Sequence, residues 1–162
     1  MAAPTGPRRR AGTVAVVLVA AAAVAACSGG SSRGDATSVF RVAAGQCFLP
    51  PDKPKAELTS IDQVPCTQPH TQEAYAVVSY KSPSAEATTD YPGDTALKQF
   101  ADGACAQRFA DYVGIDYQDS SLFFTYLVPS ARSWQQADDR HVICFITTTG
   151  GLLHKSVKGS KA

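Results

Sequence analysis

The sequence predicts an α+β domain: a small antiparallel β-sheet of three to five strands, one main helix packed on a face of it, and two disulfides. Three observations carry this prediction. Residues 94–113 hold apolar side chains at helical spacing, short segments rich in β-branched and aromatic residues lie on both sides of them, and Cys47, Cys66, Cys105 and Cys144 are spread among these elements.

Ahead of that domain, Arg8, Arg9 and Arg10 precede an apolar run from Ala11 to Ala26, broken only by Gly12 and Thr13. A basic start, a short apolar middle and small residues before a cut describe a secretory signal peptide. The run is shorter than the roughly 20 residues a spanning helix needs. Val24-Ala25-Ala26-Cys27 resembles a bacterial lipobox, which implies a signal peptide over residues 1–26 and a lipidated N-terminal Cys27. Acyl chains of the palmitate class, two or more together, hold a protein on a membrane where one alone is marginal. The expected product is a lipoprotein outside the cytoplasm, anchored to the cell membrane by its lipid. Its 136 residues suffice for one domain, and loss of the three arginines moves the formal charge from +1 to −2.

Residues 27–38 read as the lipidated cysteine and a flexible Gly/Ser tether, with an end-to-end distance of roughly 18 Å. Order is expected over residues 39–155. Gly45 to Leu49 suggests a short strand or turn stopped by Pro50-Pro51, and residues 50–60 an exposed loop. Ala74 to Tyr80 (AYAVVSY) has strand composition, and the turn formers of residues 81–93 make a second loop.

Asp94 to Val113 is the clearest helix, with Asp94 as the expected N-cap and Gly114 as the glycine that stops it. At 100° per residue, Leu97, Phe100, Ala101, Ala104, Cys105 and Tyr112 share a face. Arg108 falls near the centre of that face, where it must snorkel, pair with a buried acid or line a site. Leu122 to Val128 (LFFTYLV) and Val142 to Thr148 (VICFITT) are the strongest strands, joined by residues 131–139, read as a helical turn whose Trp134 caps the sheet. Residues 156–162 read as a disordered tail.

With Cys27 assigned to lipid, four cysteines remain to pair in an oxidising compartment. Alternation puts Cys144 on the same strand face as Val142 and Ile146, and Cys105 lies on the apolar helix face. Cys105–Cys144 is therefore the preferred bridge, and Cys47–Cys66 closes a local loop of about 20 residues, worth roughly 3 kcal/mol. The competing metal reading rests on Cys66 and His70, four apart, but lacks a second closely spaced pair of ligands. No metal or cofactor is expected. Nor is nucleic acid, since the basic residues are scattered and the densest group is Lys155, Lys158 and Lys161.

The chain lacks a G-x-S-x-G elbow and a phosphate-cradling glycine loop. Its best polar constellation is His70 and Glu73 at the start of a strand: either an acid/base or metal pair, or two groups that hydrogen-bond each other and the backbone to fix the loop. Asp139 and Arg140, with Trp134 packed over them, invite the same choice.

These residues also resemble a known family. Gly45-Gln46-Cys47-Phe48, Val64-Pro65-Cys66, Pro69-His70-x-x-Glu73, Tyr91-Pro92-Gly93, Cys105, Tyr112-Val113-Gly114, Trp134, Asp139-Arg140 and Cys144 look like the septum-formation domain of membrane-anchored and lipid-anchored envelope proteins in high-GC Gram-positive bacteria. The likeness spans roughly Val39 to Thr149. The family usually has Gly-Asp-Cys-Phe and Gly-Asp-Arg where this chain has Gly45-Gln46-Cys47-Phe48 and Asp138-Asp139-Arg140, so a shared catalytic role for that first acid is not expected here. The resemblance implies a place at the division septum or cell wall, without a reaction. The leading expectation is a non-enzymatic module that binds a septal or cell-wall protein during cell division. The alternative is a small cell-wall ligand-binding domain or enzyme in which His70, Glu73, Arg108 and Arg140 converge on one cleft.

Overall fold

The computed structural model describes residues 1, 2, 6, 34–51, 53, 57–82 and 89–162. All but three residues of the expected signal peptide, Cys27 and most of the tether lie outside the described residues, as do parts of the two long loops. The chain divides into two units, Met1–Gly30 and Ser31–Ala162, and every element below belongs to the second. Among the described residues no helix is long and apolar enough to cross a membrane.

Among the described residues, six strands form one antiparallel sheet: β1 (Asp35–Ser38), β2 (Cys47–Leu49), β3 (Ser60–Val64), β4 (Gln72–Ser79), β5 (Phe123–Leu127) and β6 (His141–Thr147). Their order across the sheet is β1-β3-β2-β4-β6-β5. The helices are α1 (Asp94–Val113) and the short α2 (Ala131–Gln136). The α+β expectation holds, with one strand more than its upper bound. Two strands escape the sequence reading. β1 falls in the expected tether, and β3 follows the expected loop. β1 (DATS) carries no apolar pattern and pairs with β3 through its backbone, Thr37 opposite Ile61.

The two faces of the sheet bury different cores. Val142, Cys144 and Ile146 of β6 face α1 and pack with Tyr75, Phe109 and Tyr112. Ile143 and Phe145 face the other way, with Phe48, Ile61 and Ala74, beneath a 3-10 turn at Val39–Arg41 that supplies Val39. A register shift between Ala74 and Ala76 interrupts β4. It lets Tyr75 and Ala76 both contact the α1 side, where strict alternation would separate them.

Both expected disulfides are present, Cys47–Cys66 with Cα atoms 5.2 Å apart and Cys105–Cys144 with Cα atoms 5.6 Å apart. The second ties α1 to the centre of β6, since Cys105 and Cys144 are both fully buried.

α1 has the expected length, with two corrections. Gly93, at φ 90°, is its N-cap, and Asp94 is the first helical residue, accepting from the Tyr91 hydroxyl. Gly114 adopts the left-handed conformation, φ 89°, that stops the helix, and its N–H donates to Ala110 O. The buried stripe is Leu97, Ala101, Cys105, Phe109 and Val113. Steps of four residues advance about 40° around the axis, so the contact face winds as α1 crosses the sheet. At the C-terminal half it has turned away from Arg108, whose side chain is 61% exposed and 3.9 Å from Asp111. The sequence places Arg108 at the centre of the apolar face because it assumes a fixed face along the whole helix.

The C-terminal residues are not a disordered tail. His70 and Leu153 exchange backbone hydrogen bonds of 2.9 and 2.8 Å, Val157 is buried, Gly159 N–H donates to Tyr112 O, and Lys161 N–H donates to Val113 O. Residues 153–162 form a strap across the end of α1.

Candidate functional site

Glu73 is the anchor of that strap. It is fully buried on β4, opposite Ile146 of β6 and Cys47 of β2. A buried carboxylate must be hydrogen-bonded. Oε1 accepts from the Tyr112 hydroxyl and from Ser156 Oγ, each at 2.5 Å, and Oε2 accepts from the Val157 N–H at 2.9 Å. Burial, and then the bond to Glu73, hold the Tyr112 phenol above the usual tyrosine range. Lys158 Nζ lies 5.9 Å from the centre of the Tyr112 ring. One side chain thus joins β4, the last turn of α1 and the strap.

His70, also fully buried, stands beside it. Its Nδ1 is 2.7 Å from Gln68 O. A carbonyl oxygen only accepts, so Nδ1 carries the proton. Nε2 is 3.9 Å from Glu73 Oε2, too far for a hydrogen bond, and has no hydrogen-bond partner among the described residues. The expected mutual bond between the two residues is therefore absent, and each is held by other groups.

Trp134, Asp139 and Arg140 assemble elsewhere. Ser130 caps α2, accepting from Ser133 N–H while Ser133 Oγ bonds back to the Ser130 backbone. Trp134, on this helix, is buried against the rings of Tyr80 and Tyr91, and its Nε1–H donates to Thr89 O. The Arg140 guanidinium lies 3.7 Å from the centre of the Trp134 ring, and its Nη1 donates to Trp134 O and Asp139 O. Its acidic partner is Asp138 at 3.0 Å, a residue held at φ 51°, rather than the expected Asp139. Asp139 instead accepts from Ser133 Oγ and His141 N–H.

The six candidate residues therefore occupy three places. Glu73 pairs with Ile146 near the end of β6, whereas Arg140 precedes His141 at its start. At about 3.3 Å per residue that is close to 20 Å. Arg108 lies apart, on the exposed side of α1. His70, Glu73, Arg108 and Arg140 do not converge on one cleft.

A surface that the sequence reading did not find lies on the face away from α1. There a cavity of about 490 Å³ is floored by Val77, Leu127 and Ile143 and walled by Phe40, Val42 and Leu58. Glu57, Asp138 and Asp139 line its polar side. Phe40 is 55% exposed and Val77 39% exposed, so apolar surface is left open to solvent. The outward alternation of Val77 in β4 is its only trace in the sequence.

A family model described as septum formation matches residues 44–160. Two uncharacterized membrane proteins of Mycobacterium tuberculosis, from strains CDC 1551 / Oshkosh and ATCC 25618 / H37Rv, are each 27% identical over 117 residues. The alignment covers 70% of this chain and 25% of each relative, so the chain spans about a quarter of the length of the proteins it matches. No solved structure matches the chain.

Proposed function

The chain belongs to the septum formation family, and from that premise we propose a lipid-anchored, extracytoplasmic envelope protein that binds a polypeptide partner at the division septum without catalysing a reaction. The observation that carries the binding reading is the cavity opposite α1, apolar on its floor and acidic along one side, bounded by β4, β5, β6 and the 3-10 turn at Val39–Arg41. An open concave face of this kind suits a binding module. Catalysis would require convergent acid, base and positioning groups, and the polar residues first considered for that work are either sealed in the strap or spread along the sheet.

The two disulfides agree with an oxidising compartment. The Cys27 lipobox, with a tether of roughly 18 Å, supplies attachment to the membrane, in keeping with relatives named as membrane proteins.

The test is site-directed photo-crosslinking in dividing cells, with the crosslinker at Val77 in the cavity or at Arg108 on α1. The expected result is a discrete adduct to an extracytoplasmic polypeptide from Val77 alone. Equal adducts from both positions, or none from Val77, contradict the proposal. A separate variant, Cys27→Ser, should release the protein from the membrane fraction; retention there would overturn the lipid anchor.

A further inference from the structure

The strap explains why Glu73 is buried, but it leaves the His70 Nε2 unaccounted for. A buried nitrogen without a hydrogen-bond partner is costly, and this one has two metal-ligating neighbours. Nε2, a Glu73 carboxylate oxygen and Cys47 Sγ all lie within 4.8 Å of one another, and all three residues are buried. Glu73 Oε1 already takes two hydrogen bonds, whereas Oε2, the oxygen 3.9 Å from Nε2, takes only the Val157 N–H. Oε2 keeps a lone pair for a ligand.

The surroundings are those of a preorganised metal ligand set. A metal-bound histidine donates its other ring N–H to a backbone carbonyl or carboxylate, and ligating carboxylates are themselves hydrogen-bonded. His70 does the first through Gln68 O, and Glu73 does the second through Tyr112, Ser156 and Val157. What blocks the site is covalent: Cys47 Sγ is bonded to Cys66.

We propose that Cys47, His70 and Glu73 form a latent site for a zinc-class divalent cation, closed by the Cys47–Cys66 disulfide and opened by a thiol reductant. Cys66 is the partly exposed half of that bond, and Cys47 the buried half. An external thiolate attacks Cys66 Sγ, the S–S bond breaks, a mixed disulfide forms at Cys66, and Cys47 leaves as a thiolate. A second thiolate attacks the reductant's sulfur in that mixed disulfide, frees Cys66 as a thiolate, and departs as the oxidised disulfide of the reductant. Two electrons pass from the two thiolates to the protein disulfide, and the cation keeps its oxidation state throughout. Thiolate, imidazole and carboxylate then offer one sulfur, one nitrogen and one oxygen, a donor set that suits zinc rather than calcium or magnesium. The bound cation then ties β2 to the start of β4, whereas the disulfide ties β2 to the turn that follows β3.

Two mirror variants test this, each lacking the same disulfide and keeping one free thiol: Cys66→Ser, which frees Cys47, and Cys47→Ser, which frees Cys66. The full chain in detergent, with Cys105–Cys144 intact, is titrated with Co²⁺ as the spectroscopic probe and then with Zn²⁺. Cys66→Ser should bind one equivalent of Co²⁺, show a thiolate-to-cobalt charge-transfer band, and lose that band to Zn²⁺. Cys47→Ser should show no such band. Should Cys66→Ser be unfolded without metal, Zn²⁺ should restore its near-ultraviolet circular dichroism, since metal binding and folding are then one equilibrium. Equal bands from both variants, no band from Cys66→Ser, or failure of Zn²⁺ to fold it would each overturn the proposal.

Discussion

The hydroxyl of Tyr112 donates a 2.5 Å hydrogen bond to Glu73 Oε1, joining the last turn of α1 to the first residues of β4 across 39 residues of sequence. Ser156 and Val157 close on the same carboxylate from the C-terminal side. The buried acid is the point where helix, sheet and strap meet.

Replacing Tyr112 with Phe removes one donor and leaves Glu73 with two. Such a loss at a buried, charged acceptor should cost about 1–3 kcal/mol. Urea unfolding should show this as a lower midpoint with unchanged slope. The same variant should speed amide exchange at Val157 and Gly159, whose N–H groups seal the strap.

Deleting residues 156–162 should be far worse than trimming a frayed end. Glu73 loses Ser156 and Val157 together, and α1 loses the backbone bonds at Tyr112 and Val113. Each hydrogen bond lost by a buried acceptor costs about 1–3 kcal/mol, and two are lost here. A deletion that melts within a degree of the intact chain would show that the strap does not hold the fold.

Alkaline pH should weaken the domain before neutral or mildly acidic pH does through these groups. Burial raises the phenols of Tyr75 and Tyr112 above the usual tyrosine range, aided by Tyr117 and Glu73 respectively. Tyr91 is pushed up to about 12 by desolvation and then by Asp94. In each case the folded state favours the protonated phenol. Its contribution is fully present below the unfolded value of about 10 and is lost as pH rises through the folded values. Melting temperature against pH should turn downward from about pH 10, and the Tyr112→Phe variant should show a shallower fall.

The disulfides should differ in weight. Paired replacement of Cys105 and Cys144 by Ser opens a separation of 39 residues, against 19 for Cys47 and Cys66. Chain entropy gives about 4 kcal/mol for the longer loop and about 3 kcal/mol for the shorter. The longer bridge also joins two fully buried positions, so its removal leaves polar hydroxyls in the core. Calorimetry of the two double variants should rank them in that order.

Much of the fold was legible because its strongest elements are marked locally. The 94–113 helix shows its apolar spacing and its stop at Gly114, and the cysteine pairing follows from a helix face and a strand face that both point inward. β1 and β3 were not legible, because DATS and SIDQV offer few apolar residues and owe their state to backbone pairing, β1 with β3 and β3 with β2 as well. His70 and Glu73 stood out as a polar group at the start of a strand. Their burial could not be read, since Tyr112, Ser156 and Val157 lie 39 to 84 residues away from Glu73. Arg108 and the acidic partner of Arg140 were misplaced for smaller reasons: a helix face that winds, and a left-handed turn at Asp138.

Imaging in dividing cells decides whether this member of the septum formation family acts through the cavity on its open sheet face. A functional fluorescent fusion with Cys27 intact is compared with the same fusion carrying Val77→Lys, a partly exposed position whose change should alter stability by no more than about 0.5 kcal/mol. The expected result is enrichment of the parent at the new septum, with the variant spread evenly over the membrane at an unchanged melting temperature. A parent distributed uniformly, or a variant still enriched at the septum, would contradict it.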